Sequence, residues 1–171
     1  CFSKVAIVTD DDRCTKKSET NYINKDFDYD DVNSDISDKL LNGTPSERCN
    51  ELETSCRAVG INVFKATKTL EYALCCDENN IEYFIEAIKS EYSQFGPALE
   101  QKVNSLHDMN EKAACVWLFI QVRDKCKGAI AQYISQTIKK QCEMRKRGET
   151  IEKEFVIPDY LKEAVFCVTE R

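Results

Sequence analysis

Three consecutive carboxylates, Asp10-Asp11-Asp12, stand directly after the β-branched run Val5-Ala6-Ile7-Val8-Thr9. Adjacent acids repel, and the repulsion is costly wherever water does not screen it. A hard divalent cation relieves it, because Mg²⁺ and Mn²⁺ take oxygen ligands. Side chains alternate along an extended chain, so Asp10 and Asp12 should share one side and Asp11 the other. Asp10 and Asp12 are therefore the candidate metal-holding pair, against the plainer reading of an acidic turn. Glu71 is a second candidate, since it interrupts the apolar segment Leu70-Glu71-Tyr72-Ala73-Leu74 one strand later. In a parallel sheet successive strand ends lie side by side, where ligands bind; a helix-start glutamate is the competing reading. Lys127 is a third. It precedes Gly128 at the mouth of a helix, and a lysine at a helix N-terminus suits a phosphate or the charge developing on one. It could equally be one more surface lysine beside Arg123 and Lys125.

Other chemistries are narrowed by what the chain lacks. There is one histidine, His107, so multi-histidine metal sites are excluded and any triad must use this residue. It sits in the polar segment Asn104–Asn110, which reads as a turn. The ten cysteines include no Cys-x-x-Cys pair, which argues against zinc ribbons and thioredoxin-like chemistry. Cys49, Cys56, Cys115, Cys142 and Cys167 fall on apolar helical stripes, as small hydrophobes do. This usage fits a reducing cytoplasm. The longest nearly uncharged apolar run, Ala113–Ile120, is far too short to span a membrane. The chain carries 24 Lys+Arg against 30 Asp+Glu, a net charge of −6, which is the wrong sign for binding nucleic acid by backbone neutralisation alone. A local exception is the basic helix end Lys139, Lys140, Arg145, Lys146 and Arg147, which could track phosphates or simply answer a helix dipole.

The elements that must position these residues are readable from spacing. Lys4–Thr9 reads as a fully buried strand of a parallel sheet. Residues 13–43 show no apolar periodicity and read as an acidic, exposed excursion. From Asp26 it approaches a calcium-loop pattern, but Asp31 and Ser37 occupy the positions that want Gly and Glu. Thr44-Pro45-Ser46-Glu47 predicts a helix start with Thr44 as cap. Cys49, Leu52, Cys56 and Val59 follow at helical spacing up to Gly60, and Ile61–Phe64 reads as the next strand. Strand, helix and strand make a right-handed βαβ unit. Beyond it the chain reads as helical: Ile81–Tyr92, stopping near Gly96-Pro97; Glu111–Arg123, holding Trp117; Ile130–Gln141; and a last amphipathic helix after Pro158 with Leu161, Ala164, Val165 and Val168.

Four segments occur in an order that resembles a known family: Val5–Asp12, Lys68-Thr69-Leu70-Glu71-Tyr72, Lys127-Gly128-Ala129-Ile130-Ala131 and Val156–Ala164. Together they resemble the C-terminal region of OLD-family (overcoming lysogenization defect) ATP-dependent endonucleases, a TOPRIM nuclease domain followed by a helical region. The resemblance implies an α/β fold: a partial TOPRIM, Rossmann-like parallel sheet over residues 1–78, with 13–43 as an insertion, then a mostly α-helical region over 79–171. It implies that Asp10 and Asp12 hold divalent metal, that Glu71 serves a second metal, and that Lys127 neutralises charge on the scissile phosphate. Mg²⁺ or Mn²⁺ would be the cofactor of two-metal phosphodiester cleavage. ATP would enter only through an N-terminal ATPase domain of the parent chain. DNA is the implied partner, with that ATPase domain, a second copy and a helicase-like protein as further ones, in bacterial phage defence or DNA processing. The first TOPRIM strand, with its Gly-x-x-Glu glutamate, should precede residue 1, so the chain is expected to belong to something longer.

Two readings from other classes compete. The chain could be an interaction or dimerisation module, catalytically incomplete without that glutamate. It could also be a phosphotransfer enzyme using Asp10 as nucleophile, although Arg13-Cys14 departs from the Asp-x-Asp-x-Thr/Val pattern such enzymes use. The resemblance ranks the nuclease first.

Overall fold

A computed structural model describes residues 4–13, 28–123 and 126–169. The chain is mixed α/β and mostly helical, with a two-stranded parallel sheet. Strand β1, Ala6–Asp10, pairs with β2, Asn62–Ala66, in a register that sets Ala6 beside Asn62 and Asp10 beside Ala66. Between them run α1, Ser34–Asn42, and α2, Glu47–Ala58. The cap of α2 is Ser46, whose hydroxyl accepts from Cys49 N–H, so Thr44 is not the cap and the helix starts at Glu47. Its end closes as the glycine predicts. Gly60 takes φ +74°, its N–H donates to Arg57 O, and Ile61 N–H donates to Cys56 O, which is the Schellman pattern.

The helical region comprises α3, Leu70–Cys75; α4, Glu78–Glu91; α5, Gly96–Ser105; α6, Met109–Val122; α7, Cys126–Lys146; and α8, Asp159–Thr169. Helix α6 is the hub. Eight consecutive side chains, Ala113–Ile120, are buried because α1, α3, α4 and α5 all pack around it. Trp117, at its centre, is wholly enclosed. Gly96-Pro97 does not end a helix region but opens α5. A Cβ on Gly96 would lie 2.6 Å from Lys89 Cα, so this glycine is needed for α5 to approach α4 so closely.

Four expectations about burial are corrected. Residues 28–43 are not a solvated excursion. Asp28 and Asp31 cap a single 3-10 turn, Tyr29–Asp31, and Val32, Ile36 and Leu40 enter the core against α6. Their spacing of four was the helical signal, hidden among acids that serve as caps or face solvent. The rest of that stretch, 14–27, including the start of the calcium-loop pattern, lies outside the described residues. Strand β1 is likewise not buried on both faces, and Val8 is 48% exposed. A two-stranded sheet flanked by α2 and α8 leaves β1 as an edge. Helix α8 lies over both strands, yet only Ala164 of its expected apolar stripe is buried. Cys49, Cys56 and Cys115 are buried as expected, whereas Cys142 is exposed.

Candidate functional site

The C-terminal ends of β1 and β2 are stitched together by the backbone. Asp11 N–H donates to Ala66 O (3.0 Å), Asp12 N–H donates to Lys68 O (3.2 Å), and Ser46 N–H donates to Asp11 O (2.8 Å). Both turning residues, Asp12 (φ +50°) and Lys68 (φ +63°), sit in the left-handed region, a conformation that costs about 1 kcal/mol or more per non-glycine residue and that a surrounding structure must enforce. Aspartate tolerates it better than lysine does.

What enforces it is the middle acid. Asp11 is buried at 2% exposure, and because Asp12 turns at φ +50° beyond the end of β1, the alternation of an extended strand does not continue through Asp12. Its Oδ1 accepts from Lys68 N–H at 2.8 Å and from Arg13 N–H at 3.1 Å. Its Oδ2 accepts from Arg13 Nε (2.8 Å) and Nη2 (2.5 Å). Arg13 also donates to the carbonyls of Leu40 and Leu41 at the end of α1, and Lys68 Nζ donates to Arg13 O. The loop after β1, the loop after β2 and the end of α1 are therefore one hydrogen-bonded knot.

Asp10 faces the other way. Its Oδ1 accepts from Leu70 N–H (2.9 Å) at the start of α3. Burial raises its carboxyl above the ordinary aspartate range; the Leu70 N–H opposes this, and the charges of Glu71 and Asp12 push further up against the pull of Lys127. Glu71 is one residue further along α3, with its Oε1 3.3 Å from Lys127 Nζ at the start of α7. Burial alone would raise the Glu71 carboxyl, but the Thr69 hydroxyl and Lys127 outweigh it and hold the group below the usual range. Asp10 and Glu71 thus titrate in opposite directions although their charges interact. Tyr160, at the start of α8, has its phenol pushed up to about 12 by burial and by the charges of Asp10 and Glu71.

Thr69 holds this arrangement from below. It caps α3 by accepting from Tyr72 N–H (3.3 Å) and also accepts from Trp117 Nε1 (3.1 Å). With its amide oxygen turned to face the two donors, Gln121 accepts from Lys127 Nζ (3.2 Å) and Trp117 Nε1 (3.1 Å). The core tryptophan of α6 therefore anchors both α3, which carries Glu71, and the residue that fixes Lys127.

Asp10, Glu71 and Lys127 come together, with Asp12 close enough for its charge to act on Asp10. Among the described residues no three His, Cys, Asp or Glu side chains form a ready metal cage. The acids present are oxygen donors of the kind Mg²⁺ takes, and Mg²⁺ commonly binds through one or two carboxylates and completes its shell with water. The basic helix end lies elsewhere. Lys139, Lys140, Arg145, Lys146 and Arg147 are all exposed on the last turns of α7 and just beyond, but Arg145 pairs with Glu154 and Arg147 with Glu149, so their charge is partly answered locally. His107 is exposed in the turn between α5 and α6. Sequence reasoning missed Asp11, Arg13, Lys68, Tyr160 and Gln121. Of these, Asp11, Lys68 and Tyr160 carried a signal only through their places in the segments Val5–Asp12, Lys68–Tyr72 and Val156–Ala164; Arg13 and Gln121 carried none. None of the helices described is long and apolar enough to cross a membrane. Comparison with protein-family models, curated proteins and solved structures gives no match to this chain.

Proposed function

We propose that this chain is the TOPRIM-type region of a metal-dependent DNA endonuclease of the OLD kind, cutting phosphodiester bonds with Mg²⁺ or Mn²⁺. The observation that carries the reading is convergence. Asp10 on the end of β1, Glu71 on the first turn of α3 and Lys127 on the first turn of α7 come from distant stretches of chain and meet at the C-terminal end of a parallel sheet. That end is where open α/β sheets bind ligands, and acids gathered beside a lysine suit a cation together with a phosphate.

The roles follow from position. Asp10 and Asp12 would hold one divalent ion and Glu71 would contribute to a second. Bound there, divalent metal lowers the pKa of water and stabilises a departing oxygen. Lys127, half exposed and 3.3 Å from Glu71, would leave its partners to turn toward a phosphate oxygen and offset its charge. Tyr160 borders the same acids and keeps its proton at neutral pH, so it can donate a hydrogen bond to a phosphate. Asp11 does not touch the substrate in this reading and fixes the loop that carries Asp10 and Asp12. Lys139, Lys140 and Lys146 would give weak, salt-sensitive contact to DNA. ATP dependence, and pairing with an ATPase domain, a helicase-like protein or a second copy, belong to the same proposal for the parent chain.

Nicking of supercoiled plasmid with Mg²⁺ or Mn²⁺ by the parent protein tests this. Asp10→Ala with Asp12→Ala should abolish cutting, and Lys127→Met should slow it with metal affinity kept. Equal cutting by the double variant would refute the assignment. One observation favours the interaction-module reading instead: an apolar groove of about 930 Å³ between β1 and α8, bordered by Val8, Ile157, Val165 and Phe166. A chain that shows no metal-dependent cutting in any context but captures a partner through this groove would be such a module.

A further inference from the structure

Next to Glu71 and Lys127 a cavity of about 320 Å³ opens between α3, α4, α6 and α7. Its walls are mostly apolar, with Leu70, Leu74, Phe84, Ile120, Ile130 and Ile134 among them. Ligand sites have this character, a mostly apolar cavity of a few hundred Å³ with a few polar groups fixing orientation. The polar groups here are Glu71, Lys127 and Ser135. The charge balance at the mouth decides what head group it accepts. Glu71 and Lys127 line the mouth as a pair 3.3 Å apart, and the Asp10 carboxylate stands just behind it, accepting from the N–H of the lining residue Leu70 at 2.9 Å. Carboxylates outnumber the cation, so a second positive charge is favoured there and a second negative one is not.

The geometry points to this cavity as a binding site for a primary aliphatic amine, with the alkyl chain among the isoleucines and the ammonium beside Glu71 in place of Lys127. The inference rests on the metal reading in one respect: ammonium and divalent metal would compete for the same acids. Tail burial is independent of it.

The test titrates octylammonium, octan-1-ol and octanoate, each below its micellar concentration, into the whole chain in EDTA. The readout is the fluorescence of Trp117, the single tryptophan, which is joined to the mouth through Gln121. Saturable one-to-one binding is expected, with octylammonium about tenfold or more tighter than octanoate. Ala131→Phe and, separately, Ser135→Leu, both at exposed positions lining the cavity, should weaken octylammonium by about tenfold by filling it, in whichever variant keeps the wild-type cooperative melt. Octanoate binding as tightly as octylammonium, or affinity unchanged in a folded filled variant, overturns the proposal. Added Mn²⁺ should raise the octylammonium midpoint; cavity binding that Mn²⁺ leaves unmoved supports the amine site and counts against the metal reading alone.

Discussion

Replacing Asp11 with alanine should destabilise the fold more than any other single change among the three aspartates. The side chain is 2% exposed and accepts from Lys68 N–H, Arg13 N–H and the Arg13 guanidinium. Removing one member of a buried ion pair costs about 3–5 kcal/mol because its partner's charge is left uncompensated. Here the guanidinium keeps its bonds to Leu40 O and Leu41 O and is 13% exposed, so some of that penalty falls away. The Lys68 N–H is left unpaired in a buried place, adding about 1–3 kcal/mol. About 3 kcal/mol is the expected total, or a fall in Tm of about 6–12 °C for a chain of this length. Asp11→Asn keeps an acceptor for Lys68 N–H and should lose about half as much. Urea denaturation followed by circular dichroism gives both values, with the slope unchanged. A loss below about 1 kcal/mol in Asp11→Ala would refute the view that this acid holds the two strand-end loops together.

Three further outcomes follow from the same geometry. Asp10→Asn should raise Tm, because burial and neighbouring acids push the Asp10 carboxyl up; its ionised form opposes folding, and stability from this group falls as pH rises through its folded value. A lower Tm in the variant at pH 7 would contradict this. Glu71 has the opposite sign: its carboxyl is held below the usual range, so its contribution is present above its unfolded value and is lost as pH falls through the folded one. Melting curves from pH 3 to 6 should therefore show a shallower acid limb in Lys127→Met. Gly60→Ala, at φ +74° with open space around it, should cost about 1 kcal/mol from backbone strain alone, whereas Gly96→Ala, at an ordinary φ but 2.6 Å from Lys89 Cα, should cost more because α4 and α5 must move apart. A smaller loss at Gly96 than at Gly60, by chemical denaturation, would overturn that ranking.

Local signals carried most of the elements. The βαβ unit was readable because Gly60 closes α2 and β-branched runs flank it. Helices α4, α6, α7 and α8 followed from their apolar spacing. What local signals lacked was tertiary context. Helix α1 escaped because Val32, just before it, and its own core residues Ile36 and Leu40 are separated by Ser, Asp, Asn and Lys, and overall acidity dominated the window. Thr44 and Ser46 both offer a cap hydroxyl, and the choice falls to Ser46, whose own N–H bonds to Asp11 O, a contact no local rule contains. For the site, Asp10, Glu71 and Lys127 were nameable from residue type and strand order. The Asp11–Arg13–Lys68 knot was not, since 57 residues separate Asp11 from Lys68 and nothing in Lys68-Thr69 announces a left-handed turn.

The knot also explains why the three aspartates must be read as different kinds of residue. Asp11 stabilises: it is neutralised by Arg13 and sits in the interior. Asp10 differs: burial first, and then the charges of Glu71 and Asp12, raise its carboxyl against the Leu70 N–H and Lys127. Two non-glycine residues kept in the left-handed region, at positions 12 and 68, add strain that the knot must offset. A turn whose only task was to join a strand to a helix would be under no need to keep a half-buried acid beside Glu71, and Asn at position 10 would serve it better. A stabilising carboxylate set next to an unfavourable one is the pattern expected where charge is reserved for a ligand. On the proposed reading, that ligand would be a cation, which would cancel the excess negative charge.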